Sequence, residues 1–311
     1  MFIASKPPHD FLLALDCADY FLREQEPEKI YEAGYVRPLN LSSRDVLMVA
    51  RFNEDPESPG FDISFPGQDG LDNDEQAQAI QQISRILGTD LDLSGLAAQA
   101  GDDPLLGPIM QEYYGFRRIA GASVFEDAFG DIIKSRISHR PTAKKMNQAV
   151  RRAYGTRFEW AGVEYFAYPR PESLHDADPA AFREYGISER KAEYIIGFAS
   201  QLHDGSLRLD VLEALEPDEF YVEIQKIRGI GPSTAQTLML NRNRTDASFP
   251  SHIVKGEERG LRRWIMYSYG LNPADVDEAE FQALIASWRG YEALAIEFLY
   301  YRYVMNQLKK S

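Results

Sequence analysis

The chain has 311 residues, of which 44% are hydrophobic and 26% are charged. This composition is typical of a globular protein with about two domains. Its 48 acidic and 34 basic side chains give a formal net charge of −14, which argues against a protein that coats nucleic acid or anionic membrane through bulk charge. The acidity is concentrated at the start, because residues 1–100 hold 18 acidic and only 7 basic side chains.

Cysteine content and the N-terminal sequence indicate the cellular location. Cys17 is the only cysteine, so an intrachain disulfide, a cysteine-based zinc site and an iron–sulfur cluster are all excluded. The start of the chain is interrupted by Pro7-Pro8 and Asp10 before an apolar region forms, unlike a signal peptide. No apolar run approaches the ~20 residues that span a bilayer. We therefore expect a reducing, cytoplasmic location.

The first hundred residues predict a small mixed domain. Short runs of β-branched and aromatic residues predict strands at Tyr35–Leu39, Val46–Phe52 and Gly60–Pro66. Apolar residues at helical spacing predict a helix over Asp74–Leu87.

From about residue 101 the pattern becomes helical. Glycine and proline signals separate the predicted helices, which are Phe125–Arg136, Pro141–Tyr154, Pro179–Tyr185, Glu189–His203, Asp218–Arg228, Pro232–Leu240, Glu278–Trp288 and Tyr291–Leu308. The sequence therefore predicts an α+β protein, with a small antiparallel sheet domain over 1–105 and a mostly helical domain over 106–311.

A tight turn joins two of these helices within 220–235. The first helix ends near Arg228, Gly229-Ile230-Gly231 follow, and Pro232 begins the second helix. The glycines permit positive φ and leave backbone N–H groups uncovered, while the new helix N-terminus adds partial positive charge. Together they form an anion site suited to a DNA phosphate, and Ile227 and Ile230 are expected to anchor the turn in the core. An ordinary interhelical turn with a glycine C-cap is the alternative.

Two segments concentrate positive charge. Residues 134–152 carry seven basic side chains and no acidic one, and residues 226–263 carry eight basic against three acidic side chains. Clusters of this kind contact DNA phosphates, although a solvated helix face is the alternative for each single side chain. The predicted DNA contacts are Arg136, His139, Arg140, Arg228, Gly229, Ile230, Gly231, Ser233 and Thr234.

The turn reads I-R-G-I-G-P-S-T-A over 227–235 and resembles the signature of the helix-hairpin-helix DNA glycosylase superfamily, in its AlkA-like 3-methyladenine DNA glycosylase II branch. Further elements follow in the order of that family. They read A-Y-P-R-P-E-S-L-H-D-A at 167–177, G-I-S-E-R-K-A at 186–192 and S-W-R-G-Y-E-A at 287–293. Pro7-Pro8-x-Asp10-Phe11 and Tyr35-x-Arg37 are similar to the N-terminal domain of the branch, so the resemblance covers nearly the full chain.

The resemblance implies base excision repair. A damaged base, which the branch suggests is alkylated, is flipped out of duplex DNA and its N-glycosidic bond is hydrolysed. No metal or organic cofactor is implied. The implied partner is double-stranded DNA that contains a damaged base or an abasic site, and we expect a monomer, nucleoid-associated if the source is bacterial.

The family's catalytic position is altered here. In that family an Asp beyond the hairpin stabilises the oxocarbenium-like sugar and assists attack by water. This chain reads D-A-S-F-P-S-H-I-V-K over 246–255, with His252 at the Asp position.

Three interpretations of His252 stay open. A neutral imidazole can act as a base toward water, but it brings no negative charge beside a cationic sugar. A carboxylate can instead come from Asp246, Glu257 or Glu258, of which Asp246 matches a residue that looks structural in the family. In the third interpretation the site is degenerate, and the protein binds damaged or bent DNA without excising a base.

The base pocket also departs from the family. Members that cleave the DNA strand through a Schiff base carry Lys at the position of Ser233, so lyase activity is not expected. AlkA-like members usually carry Trp there, so one pocket wall is altered. We predict base-pocket roles for Tyr113, Tyr114, Ser233, Trp288 and Tyr291. The four aromatic rings among them would stack on a flipped base. Core packing is the alternative for each ring.

Overall fold

A computed structural model of the protein describes residues 1–16, 29–31, 34–68 and 70–309, and Cys17 lies outside these ranges. Five antiparallel strands form one sheet in the order β1-β5-β4-β3-β2. Their bounds are β1 (Phe2–Ala4), β2 (Lys29–Tyr31), β3 (Gly34–Asn40), β4 (Asp45–Phe52) and β5 (Gly60–Ser64).

Both faces of the central strands are covered, which explains the near-continuous apolar character of β3 and β4. One face, which carries Leu39 and Met48, packs into the main core. The other face, which carries Val36 and Leu47, packs against Tyr165. That tyrosine belongs to a two-stranded hairpin formed by β6 (Arg157–Trp160) and β7 (Val163–Phe166).

Helices build the rest of the molecule, and the predicted α+β class is confirmed. Their bounds are α1 (Phe11–Asp16), α2 (Asn73–Leu87), α3 (Leu93–Ala100), α4 (Leu106–Glu112), α5 (Val124–Lys134), α6 (Arg140–Tyr154), α7 (Pro171–Leu174), α8 (Glu189–His203), α9 (Leu209–Glu213), α10 (Pro217–Ile224), α11 (Pro232–Arg242), α12 (Gly260–Ser268), α13 (Glu278–Leu284) and α14 (Glu292–Leu308). Three 3₁₀ segments cover Pro179–Tyr185, Pro273–Asp275 and Ala286–Trp288, and a short hairpin of β8 (Ile253–Val254) and β9 (Glu257–Glu258) precedes α12.

The apolar core runs without interruption from the sheet into the helices. A buried ion cluster crosses the same region, because Glu297 on α14 accepts hydrogen bonds from Arg118 (3.0 Å) and Arg244 (3.1 Å). Arg244 also donates to the backbone carbonyls of Arg85 and Arg118. The domain boundary at residue 105 stays a prediction.

Within the described ranges, none of the helices combines the length and apolar character needed to cross a bilayer.

Candidate nucleic-acid interface and catalytic segment

The turn between α10 and α11 has the geometry that its glycines predict. Gly229 adopts φ of 100°, and an added Cβ would lie 2.5 Å from the ring of Tyr194. Ile227 and Ile230 are buried on either side, which confirms that they anchor the turn. Gly231 is the N-cap of α11 and provides no side-chain cap. Its missing Cβ faces open space, so the first N–H groups of α11 are accessible to an anion.

The structure brings most of the predicted DNA contacts together. A cleft of about 1090 Å³ lies beside the turn. The predicted residues that line it are Arg136, Arg140, Gly229, Ile230, Gly231, Ser233 and Thr234. Arg228 and His139 are each one residue along the chain from a lining residue. Residues about ninety positions apart in the sequence thus share one surface.

The cleft is positively charged. Five basic side chains line it, namely Lys134, Arg136, Arg140, Arg190 and Lys191. Asp131 is the one carboxylate among the described residues that line it, and it pairs with Lys134 at 2.6 Å. A local excess of positive charge therefore faces this cleft, although the whole chain is acidic.

Each side of the cleft is held in place by backbone contacts. Lys191, near the N-terminus of α8, donates to the Ile133 carbonyl at the end of α5 at 2.7 Å. Burial, together with the nearby charge of Arg136, lowers the pKa of Lys191. Arg136 takes a left-handed φ of 59° between α5 and α6. His139 is the N-cap residue of α6, and its ring lies 2.9 Å from the Thr142 hydroxyl without capping a backbone N–H.

Sequence reasoning missed the aromatic side chains of this surface. Tyr194 and Tyr300 line the cleft, and the guanidinium groups of Arg190 and Arg228 lie 5.7 and 5.3 Å from the centre of the Tyr194 ring. Arg228 also pairs with Glu193 at 3.2 Å. The tyrosines follow no motif, and only the packing of α8 and α14 beside α11 reveals them.

The segment that contains His252 is rigidly held at its backbone. The His252 N–H donates to Glu258 at 2.7 Å, and the His252 carbonyl accepts from the Arg259 N–H at 2.9 Å. Three residues earlier, Phe249 is buried and lies edge-on to Trp288 at 6.4 Å. The side chain of His252 is half-buried.

The three carboxylates nearest to His252 in sequence have different environments. Asp246 accepts hydrogen bonds from Arg242 (2.8 Å) and Asn243. It therefore fixes the end of α11, which agrees with the interpretation of Asp246 as a structural residue. Glu257 is 61% exposed and pairs with Arg259. Glu258 is 8% exposed and contacts the His252 segment directly.

The predicted aromatic pocket residues lie elsewhere. Trp288 is fully buried and donates to Asp103 at 3.3 Å, so stacking on a base would require the core to open; its position instead supports Phe249. Tyr113 is buried edge-on against Tyr301 at 4.7 Å. Tyr114 is 52% exposed, and Tyr291 donates to Asp92 at 3.3 Å. Of the predicted pocket set within the described chain, only Ser233 lines the cleft.

No group of three or more His, Cys, Asp or Glu side chains with the geometry to hold a metal ion occurs in the described part of the chain.

Comparison with known proteins finds similarity to DNA glycosylases in sequence and in fold. No protein-family model matches the chain. In sequence it is similar to a DNA-3-methyladenine glycosylase of Bacillus subtilis, with 26% identity over 226 residues that cover 73% of this chain and 72% of the relative.

In structure the chain is similar to the 3-methyladenine DNA glycosylase of Archaeoglobus fulgidus, with a TM-score of 0.77, 22% identity and 98% of each chain covered. It is also similar to the 8-oxoguanine glycosylase/lyase of Clostridium acetobutylicum, solved with double-stranded DNA, with a TM-score of 0.65, 20% identity and coverage of 99% and 98%. The chain therefore has the DNA glycosylase fold along nearly its whole length.

Proposed function

We propose that this protein is a DNA glycosylase of base excision repair. It binds duplex DNA that contains a damaged base, turns that base out of the stack and hydrolyses its N-glycosidic bond. The observation that carries the proposal is the cleft, where an uncapped helix N-terminus and five basic side chains lie on one surface.

Phosphate binding follows from the turn. The N–H groups of Ser233 and Thr234 lie in the first turn of α11, where no side chain caps them, and the helix dipole adds positive charge. Arg136 and Arg140 line the same cleft, so they are placed to contact phosphates next to the one that the turn binds. The net charge of −14 limits non-specific affinity but does not prevent this local contact.

An alkylated purine is the substrate class that we propose, because a curated relative similar over most of the chain is a DNA-3-methyladenine glycosylase. Tyr300 lines the cleft, and a tyrosine ring can stack on an electron-poor, cationic base.

Hydrolysis breaks the C1′–N bond, and the electron pair of that bond leaves with the base. The oxygen of a water molecule bonds to C1′, and the proton that water releases passes to a neutral imidazole before it reaches solvent. His252 is the proposed acceptor of that proton.

The reaction stops at the abasic site. A Schiff base requires a free amine, whereas the hydroxyl of Ser233 lines the cleft. The two lysines of the cleft are engaged, Lys134 with Asp131 and Lys191 with the Ile133 carbonyl. We therefore propose a monofunctional, monomeric enzyme that requires no cofactor.

The replacement of the family Asp by His252 supports one alternative function. A site without the required negative charge would bind damaged or abasic DNA without excising a base.

Fluorescence anisotropy with labelled duplexes tests the DNA-binding part of the proposal. We expect salt-dependent binding that is tighter for a duplex with a tetrahydrofuran abasic analogue than for an undamaged duplex. Gly231→Ala should weaken binding at least tenfold because its methyl group would stand between the helix N-terminus and a phosphate. Gly197→Ala is the matched control, since an added Cβ there also meets open space. Wild-type protein that binds neither duplex would refute both the enzyme and its alternative.

A further inference from the structure

The structure distinguishes between the three carboxylates, Asp246, Glu257 and Glu258, that the sequence left as candidates. Excision of a base develops positive charge on the sugar, and a carboxylate stabilises that charge in related hydrolytic chemistry. The imidazole of His252 does not provide it. We propose that Glu258 is the carboxylate of this active site, an inference that rests on the proposed glycosylase function.

The β8–β9 hairpin brings Glu258 beside His252. The two residues are six apart in sequence, and Ile253 pairs with Glu258 across the hairpin. The Oε1 atom of Glu258 accepts from the His252 N–H at 2.7 Å, and Oε2 accepts from the Ser251 hydroxyl at 2.7 Å. The carboxylate therefore contacts the segment that matches the catalytic position of the family.

Glu258 shares its arginine partner with a second carboxylate. Arg262 approaches it at 3.6 Å, but the same guanidinium donates to Glu278 at the shorter distance of 2.6 Å. One arginine thus serves two carboxylates, so the three groups together carry one net negative charge. Because the side chain of Glu258 is only 8% exposed, that charge is screened less by solvent than a surface charge would be.

Packing places Glu258 close to the helix that forms the cleft. Gln236 on α11 accepts from the Leu261 N–H at 3.0 Å. Gly260 packs so closely on the same side chain that an added Cβ would lie 2.2 Å from its oxygen. Thr237, the next residue of α11, lines the cleft. The start of α12, two residues after Glu258, is therefore fixed against α11, the helix whose first turn lines the cleft.

The other two candidate carboxylates do not have this combination of burial and position. Asp246 is held by Arg242 and Asn243 at the end of α11. Glu257 projects into solvent beside Arg259. Glu257→Gln consequently provides a control that removes the same charge one residue away.

The test compares two abasic analogues that differ in charge. A protonated pyrrolidine in the abasic position carries the positive charge of the developing sugar cation, and tetrahydrofuran is its neutral counterpart. Wild-type protein is expected to bind the pyrrolidine duplex at least about tenfold more tightly than the tetrahydrofuran duplex. Glu258→Gln should abolish this preference while it retains the affinity for tetrahydrofuran, and Glu257→Gln and His252→Ala should keep it.

Single-turnover base release provides the second readout. Glu258→Gln should slow release of a methylated purine at least about a hundredfold, and Glu258→Asp should restore part of the rate because it restores the charge. A wild type without preference for pyrrolidine, or a folded Glu258→Gln variant that keeps the preference, would overturn the proposal. Absence of the preference in wild-type protein would overturn the proposal even if the Gln variant does not fold, and Glu258→Asp then provides the variant that assigns the preference. If only the assignment of Glu258 is wrong, wild-type protein still binds the tetrahydrofuran duplex and still releases base, whereas failure of the proposed function removes base release by wild type.

Discussion

Replacement of Gly229 by alanine tests whether the turn geometry, as distinct from its charge, supports the cleft. Two penalties follow from the structure. The φ of 100° is unfavourable for a residue with a Cβ and costs about 1–2 kcal/mol. The new Cβ would also lie 2.5–2.7 Å from the Cβ, Cγ and Cδ2 atoms of Tyr194, and overpacking of this kind costs about 1–3 kcal/mol.

The expected loss for Gly229→Ala is therefore about 2–5 kcal/mol of unfolding free energy. At the scale of about 2–4 °C for each kcal/mol that holds for 150–250 residues, this corresponds to a fall in Tm of roughly 4–20 °C. Displacement of Tyr194 would also disturb Arg190 and Arg228, which lie over its ring, so DNA affinity should fall as well.

Thermal unfolding followed by circular dichroism measures the effect. Gly231→Ala is the comparison within the same turn, and its Tm should match that of wild type because its Cβ meets no protein atom. A Gly229→Ala variant that melts within about 1 °C of wild type would refute the argument.

Three further predictions follow from buried or cleft-lining groups. His9 is fully buried, and burial, reinforced by the nearby charges of Arg117 and Arg244, holds its pKa well below 6.5. Since the unfolded chain binds the proton more readily, the free energy of unfolding should fall below pH ~6.5, by up to about 1.4 kcal/mol per pH unit. Urea unfolding of His9→Gln should show less of this loss. An equal loss in the variant would contradict the assignment of the pH dependence to His9. Glu297→Gln removes the carboxylate that Arg118 and Arg244 share and should lower the free energy of unfolding by about 3–5 kcal/mol. Urea unfolding measures this, and a change below about 1 kcal/mol would contradict the prediction. Ser233→Lys places an amine in the cleft and should allow borohydride trapping of the protein on abasic DNA; trapping of wild type at the same level would contradict the monofunctional proposal.

Much of the fold was predictable because its signals are local. Glycine and proline mark the helix ends, and α8 spans the predicted residues, Glu189–His203. The predicted strands at residues 35, 46 and 60 are confirmed within one or two residues. The segment predicted over Glu278–Trp288 leaves the α-helix at Leu284 and ends as a 3₁₀ turn, since a helical pattern does not distinguish these two geometries.

The missed elements depend on contacts between distant residues. The edge strand β1 exists because it pairs with β5 across about sixty residues. The β8–β9 hairpin has strands of only two residues, too short for an alternating pattern, although Lys255-Gly256 is a turn signal. The sequence therefore gave no indication that Glu258 lies against His252.

Some features of the candidate site were likewise predictable from the sequence, and others were not. The hairpin turn and the basic segment near Arg136 were predictable, because glycine spacing and charge are visible in the sequence. Their meeting in one cleft, and the presence of Tyr300 there, depend on the packing of α5, α8 and α14 around α11. Trp288 was predicted from a motif to contact the base, but the structure buries it behind Phe249, and the motif alone carries no information on burial.

Release of a base by wild-type protein tests the central claim most directly. Excess protein is incubated with a duplex that contains a methylated purine, and both the free base and the DNA strand are followed with time. A monofunctional glycosylase should release a free purine base and leave a strand that stays intact until alkali cleaves it at the abasic site. No free base at a protein concentration that saturates the duplex would contradict the claim that this protein is a glycosylase.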